Sequence, residues 1–178
     1  NRTARFLRPT EPAAQLFRQA ALSLAKKHRF ARNMVNTGRM AEANTYTRSP
    51  ACAGGGVSVQ NVAFRWANRQ TGVLNTLLDW AEGCLLLLVF GQIRVAELAR
   101  LRQLASTTAM LRVVQVMDPA DKPQALEHVI DDKGHVRRAC QATDQRWALV
   151  RPDAYLAATG SGIDAALVRQ VSCALTLA

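Results

Sequence analysis

The sequence is short of the residues that most enzymatic sites are built from. It has four cysteines, Cys52, Cys84, Cys140 and Cys173, and no two stand in C-x-x-C spacing. None lies near a histidine at zinc-ligand spacing, so neither a zinc knuckle nor a dithiol redox motif is encoded. The three histidines, His28, His128 and His135, form no H-x-x-x-H or H-E-x-x-H pair. No serine sits in a G-x-S-x-G setting. No glycine cluster follows a strand and opens a helix, which excludes a phosphate cradle. Aromatic residues make up 6% of the chain and are not interleaved with basic ones, as base-stacking surfaces require. The longest apolar run, Cys84–Phe90, is far below the ~20 residues of a membrane span. The opening "NRTARFLRPTEP" carries no apolar stretch of the secretory kind. Its first residue is Asn rather than Met, which suggests trimming. No catalytic, cofactor-binding or metal-ligating residue is assigned from the sequence.

What is present is one domain's worth of apolar sequence and a lopsided charge. Of 178 residues, 49% are apolar, enough for a core. The net charge of +10 is concentrated at one end. Residues 1–48 hold ten Lys/Arg against Glu11 and Glu42, a net of +8, whereas residues 49–178 hold thirteen against eleven. The basic excess belongs to the first segment and not to the compact part, which argues against nucleic acid as a partner. Unpaired cysteines suit a reducing, cytoplasmic compartment, with Cys84 and Cys173 expected as buried thiols.

Three stretches follow along the chain: a helical segment over 1–48, a linker over 49–61 and a folded domain over 62–178. Within the first, residues 9–34 have helical spacing, with Thr10 as N-cap and Pro12 in the first turn. Leu16, Ala20 and Leu24 form an apolar stripe that needs a protein surface to cover it, and they are too few and too small for a membrane anchor. The linker composition begins already at Val35 and includes Gly54–Gly56.

In the domain, "GVLNTLLDWAEG" reads as a short helix or turn. "CLLLLVFG" is a strand covered on both faces. "IRVAELARLRQLAS" is an amphipathic helix through Ile93, Leu98, Leu101 and Leu104. "LRVVQVMD" is a second buried strand, and "HVRRACQA" a short helix after the turn residues Asp132–Gly134. "RWALVRP" and "AYLAAT" pair as a hairpin. "IDAALVRQVSCALTLA" closes as a helix capped near Ser161. The first two strands flank a crossover helix and should be parallel. The predicted fold class is therefore α/β, a four-stranded mixed sheet flanked by helices in the thioredoxin-like arrangement.

A thioredoxin-like active site needs a thiolate where the helix after the first strand begins. That position reads "FGQIRVAEL", residues 90–98, without cysteine, and Cys84 stands at the wrong end of the strand. Asp131–Asp132, before Lys133–Gly134, is a turn rather than a carboxylate pair. Arg151–Pro152–Asp153 has the residue types of a catalytic corner but reads as a hairpin turn, in which proline excludes the primed two-residue types. A type I turn with Pro152 at i+1, followed by a left-handed Ala154, is the expected loop.

Three of these stretches resemble one family, in order along the chain. "LVRPDAYLA" resembles the "LVRPDGyvA" hairpin near the C-terminus of class A FAD-dependent aromatic hydroxylases of the 3-(3-hydroxyphenyl)propionate hydroxylase and pentachlorophenol monooxygenase kind. "VNTGRMAEANTY", residues 35–46, is similar to the segment by which such enzymes leave their catalytic body. "LLLLVFG", residues 85–91, looks like the first buried strand of their C-terminal thioredoxin-like domain. Ala154 departs from the family's usual glycine. The resemblance implies a non-catalytic, structural or assembly piece from the C-terminus of a monooxygenase. The parent enzyme would use FAD, NAD(P)H and O2 on a phenolic ring, although none of the flavin motifs occurs here. No cofactor is expected in this chain itself. The implied partner is the flavin-binding domain of the parent chain, on which residues 1–48 would end, or a second copy in its place, with neither nucleic acid nor membrane. The other reading is a free-standing thioredoxin-like binding module that docks an acidic partner through its basic N-terminal arm.

Overall fold

The structure is a computed structural model that describes residues 9–28, 45 and 56–176. The chain divides into two compact units, Asn1–Ala43 and Asn44–Ala178. Helix α1, Pro12–Lys27, is the described element of the first. Its N-cap is Glu11, with no side-chain capping bond, so Thr10 does not serve as predicted; Pro12 still occupies the first turn. Leu16, Phe17 and Leu24 are all exposed. The expected continuation of this helix to residue 34 lies outside the described residues beyond His28.

The second unit is built on one sheet. Its strands are β1 Ala63–Trp66, β2 Thr71–Val73, β3 Leu85–Phe90, β4 Leu111–Met117, β5 Glu127–Ile130, β6 Trp147–Val150 and β7 Leu156–Gly160. Its helices are α2 Leu74–Trp80, α3 Val95–Thr107, α4 His135–Ala139 and α5 Ala165–Thr176. The strand order is β2-β1-β5-β4-β3-β6-β7. Strands β3, β4 and β5 run parallel, while β6 and β7 on one side and β1 and β2 on the other are antiparallel. The mixed α/β sheet and the parallel β3–α3–β4 crossover are as predicted. The strand number is not: the sheet has seven strands rather than four.

The three unforeseen strands are short. β1 and β2 form a hairpin, Phe64 opposite Gly72, and β1 joins the sheet through Arg65–Ile130 and Trp66–Val129. Runs of three or four residues give no readable alternation, and their pairing comes from the strands beside them, β5 from β4, β1 from β5 and β2 from β1. The stretch "GVLNTLLDWAEG" accordingly splits into the end of β2 and helix α2.

The alternation within β3 divides the core. Leu86, Leu88 and Phe90 face α2 and α4, packing with Leu74, Leu77, Val136 and Cys140. Leu85, Leu87 and Val89 face α3 and α5, packing with Leu101, Leu167 and Val171. All six residues of β3 are buried, as its uninterrupted apolar run requires. Helix α5, expected to be capped at Ser161 or nearby, is capped by Asp164, whose Oδ1 accepts from Ala166 N at 2.8 Å. It buries Leu167, Val171 and Ala174, a single face; Cys173 falls off that face and is exposed, contrary to its predicted burial.

Candidate functional site

The geometry of the sheet directs attention to the end of β3. There the parallel strands finish, α3 begins, and a ligand or thiol would meet the first free N–H groups of a helix. The chain turns at Gly91, whose φ of 76° suits glycine. The loop Gly91–Arg94 then runs into α3 under unusually complete restraint. Gln115, in the middle of β4 and fully buried, donates from Nε2 to Gly91 O at 2.9 Å. The same amide donates to Gln124 Oε1 at 3.1 Å, and its own Oε1 accepts from Gln124 N at 3.3 Å. Gln124 in turn accepts from Ile93 N at 2.7 Å and donates to Ile93 O at 2.6 Å, as a strand partner would.

Glu97 and Arg146 close the other side. Glu97 Oε2 accepts from Arg94 N at 3.0 Å, a carboxylate on the first turn of α3. Arg146 Nη2 donates to Gln92 O at 2.9 Å and lies 3.4 Å from the same Glu97 oxygen. Arg137 stacks on Phe90, its guanidinium 4.7 Å from the ring centroid, and donates to Gln145 O. Two of the donors that would stabilise a thiolate or a phosphate are thus already engaged, Ile93 N by Gln124 and Arg94 N by Glu97. No cysteine is present in the loop, which is surrounded by hydrogen bonds, the Arg146–Glu97 ion pair and the Arg137–Phe90 contact.

The described cysteines lie elsewhere. Cys84 is buried before β3, its Sγ 3.9 Å from Ala109 O. Cys140 is buried behind α4, where burial and then the nearby Asp131 push its thiol up to about 12. Such a thiol stays protonated and unreactive at neutral pH. Cys52 lies outside the described residues.

The hairpin after β6 is a structural corner. Ala154 N donates to Arg151 O at 3.0 Å, closing the type I turn, and Ala154 has φ 62° as predicted. Arg151 pairs with Asp153 inside the turn at 2.9 Å. The turn also holds the incoming chain: Val59 N donates to Ala154 O at 2.8 Å, Leu156 N donates to Val57 O at 2.9 Å, and Ser58 bridges Tyr155.

The aspartates after β5 have separate tasks. Asp131 is buried and holds the start of α4, accepting from His135 N at 2.7 Å and from Arg137 N at 3.1 Å. Asp132 forms a two-bond fork with the Arg65 guanidinium, which holds its carboxyl below the usual range. The histidines are dispersed: His28 ends α1, His128 lies in β5 with Nδ1 near Leu126 O, and His135 opens α4. Among the described residues no three metal-ligating side chains gather, and no helix is long and apolar enough to cross a membrane.

The turn at Gly91 links a strand of the parallel set to helix α3, and the N–H groups of Gly91, Ile93 and Arg94 are bonded to Val116 O, Gln124 and Glu97. Sequence reasoning had not singled out Gln115, Gln124, Arg137 or Arg146. One signal was available: Gln115 is the lone polar residue between apolar neighbours in "VVQVM".

A mixed sheet with β3–α3–β4 at its centre and an antiparallel β6–β7 pair beside it defines a thioredoxin-like fold. No protein-family model matches the chain, and no curated protein does. Among solved structures it is similar to an uncharacterised thioredoxin-like protein from Porphyromonas gingivalis, with 16% identity and a TM-score of 0.51, over 75% of this chain and 95% of that one. It is also similar to aklavinone-11 hydroxylase in a ternary complex with FAD and aklavinone, with 17% identity and a TM-score of 0.54. That likeness covers 93% of this chain and 33% of the hydroxylase, so the chain spans about a third of that protein's length. The rebeccamycin biosynthetic enzyme REBC matches over 96% of this chain and 29% of its own, at 20% identity and a TM-score of 0.49. At these identities the likeness establishes the fold.

Proposed function

We propose that this chain is a non-catalytic structural and assembly part of an FAD-dependent aromatic-ring monooxygenase, placed after the flavin-binding portion. The observation that carries the non-catalytic half is the loop Gly91–Arg94. Where a thioredoxin-like enzyme needs a thiolate, this chain has two glutamines, a glutamate and an arginine bonded to the backbone of Gly91, Gln92, Ile93 and Arg94. A loop so restrained serves rigidity rather than turnover. The monooxygenase half is supported by the resemblance of "LVRPDAYLA" to the family hairpin, and by a fold likeness to aklavinone-11 hydroxylase that covers nearly the whole chain. On this reading FAD, NAD(P)H and the phenolic substrate are bound by other residues of the parent enzyme. The exposed Leu16, Phe17 and Leu24 of α1 would rest on its flavin domain.

The experiment is made on the longer gene product. An in-frame upstream segment encoding G-x-G-x-x-G is expected, and the full enzyme should oxidise NAD(P)H in the presence of a phenol. That activity should survive replacement of Cys84, Cys140 and Cys173 by serine. Absence of the upstream segment, or disulfide reductase activity of residues 1–178 that vanishes with Cys84→Ser, would overturn the proposal.

The competing reading is a free-standing binding module. Its specific support is the net charge of +8 on residues 1–48. It requires saturable, salt-sensitive binding of an acidic polypeptide that is lost when those residues are deleted.

A further inference from the structure

The segment Val57–Val62 and helix α4 enclose a cleft of about 390 Å³, lined by Ser58, Gln60, His135, Arg138 and Gln141, with Val57, Val62 and Ala139 as its apolar part. Its volume lies within the range of small-molecule sites. Both walls are built. The first is held to the hairpin by the bonds of Val57 and Val59 to Leu156 and Ala154. The second is held by the buried carboxylate of Asp131 beneath His135 and Arg137. Arg138 is positioned as well: its Nη2 donates to Lys133 O at 2.7 Å, and its Nη1 passes 3.2 Å from where a side chain on Gly134 would begin.

The charge of the cleft has one sign. Arg138 brings a permanent positive charge, and no carboxylate is among the lining residues. The two nearest aspartates are committed elsewhere, Asp131 to backbone N–H groups and Asp132 to Arg65. The hydroxyl of Ser58 and the amides of Gln60 and Gln141 add donors around that cation. Helix α4 is too short for its dipole to matter, so the attraction comes from side chains.

We propose that this cleft binds a small organic oxyanion, its phosphate or carboxylate group taken by Arg138 and His135 and its short apolar body laid against Val57 and Val62. The site does not depend on the monooxygenase reading, and none of its lining residues belongs to the loop Gly91–Arg94.

The test is a titration of residues 1–178, followed by two-dimensional NMR and calorimetry at fixed ionic strength. The probes are inorganic phosphate, phenyl phosphate and benzoate, with sodium chloride as control. Saturable shifts centred on Ser58, His135 and Gln141 are expected. Phenyl phosphate should bind more tightly than inorganic phosphate if the apolar wall contributes, and its comparison with benzoate identifies the preferred headgroup. Arg138→Gln should weaken binding about tenfold or more, since it removes a charge-assisted contact. Gln141→Gly serves as a second variant that folds at least as well, because Gln141 has φ 52°; it should weaken binding severalfold. If Arg138→Gln does not fold, Gln141→Gly decides. Shifts no different from those with chloride for all three probes, or binding indifferent to the folded variants, would overturn the site.

Discussion

Replacing Gln115 by leucine keeps the size of a central side chain and removes its chemistry. Gln115 is 0% exposed, and its amide is the link between Gly91 O and Gln124. Leucine leaves two groups without their partner, Gly91 O and Gln124 N. In this half-buried setting the two unmet groups cost about 2–6 kcal/mol together. The gain from burying leucine returns about 1–2 kcal/mol. The net loss should centre on about 2–3 kcal/mol, a large share of the roughly 5–15 kcal/mol that holds an ordinary domain. In urea, with a slope of about 1–3 kcal/mol per molar, the midpoint should fall by about 1–2 M at unchanged slope. The amide of Ile93, now bonded to Gln124 Oε1 at 2.7 Å, should exchange with solvent faster as the loop loosens. A midpoint within a few tenths of a molar of the parent, with Ile93 exchange unaltered, would show that the glutamine network does not restrain this loop.

Four further outcomes rest on single residues. Ala154→Gly should raise the unfolding midpoint, because alanine at φ 62° stores roughly 1 kcal/mol that glycine relieves; a lower midpoint would mean that the contact of its methyl with the core outweighs the strain. Gly160→Ala should destabilise by more than about 1 kcal/mol and alter tryptophan fluorescence, since the added Cβ would come within 2.3 Å of the Trp147 ring, which is held by its bond to Gly162 O; an unchanged emission spectrum and midpoint would contradict this. A thiol reagent at neutral pH should label Cys173 well before Cys84 or Cys140, as peptide mapping would read. The thiol of Cys140 titrates near 12 in the fold and near its ordinary value when unfolded, so its contribution to stability is full at neutral pH and is lost as pH rises from about 9 towards 12. Cys140→Ala should flatten that alkaline decline, and an identical decline in the variant would refute the burial argument.

The fold likeness to a third of a hydroxylase and to nearly all of a small thioredoxin-like protein describes the same sheet in two settings. Residues 1–48 carry most of the basic charge, and α1 exposes its leucines. On the proposed reading a flavin domain would cover that helix, and the experiment on a longer gene product tests it.

The sequence by itself determined the elements whose local pattern is unambiguous. "LLLLVF" and "LRVVQVM" could only be buried strands, because runs this apolar have no exposed face to offer. Helix α3 followed from its spacing, the parallel crossover from the order of elements, and the turn at Arg151–Ala154 from the fixed φ of Pro152. The missing thiol at Gly91–Arg94 was equally plain. Tertiary structure decided the rest. β1, β2 and β5 are three or four residues long and become strands because neighbouring backbones supply their hydrogen bonds. Cys173 is exposed because the rotation of α5 is set by Leu167, Val171 and Ala174 together. Gln115, Gln124 and Arg146 meet around one loop because the sheet register brings β4 and the start of β6 to either side of β3. Local periodicity records which face of a segment is buried; it does not record which distant segment lies against that face, and the hydrogen bonds that restrain this site all cross between such segments.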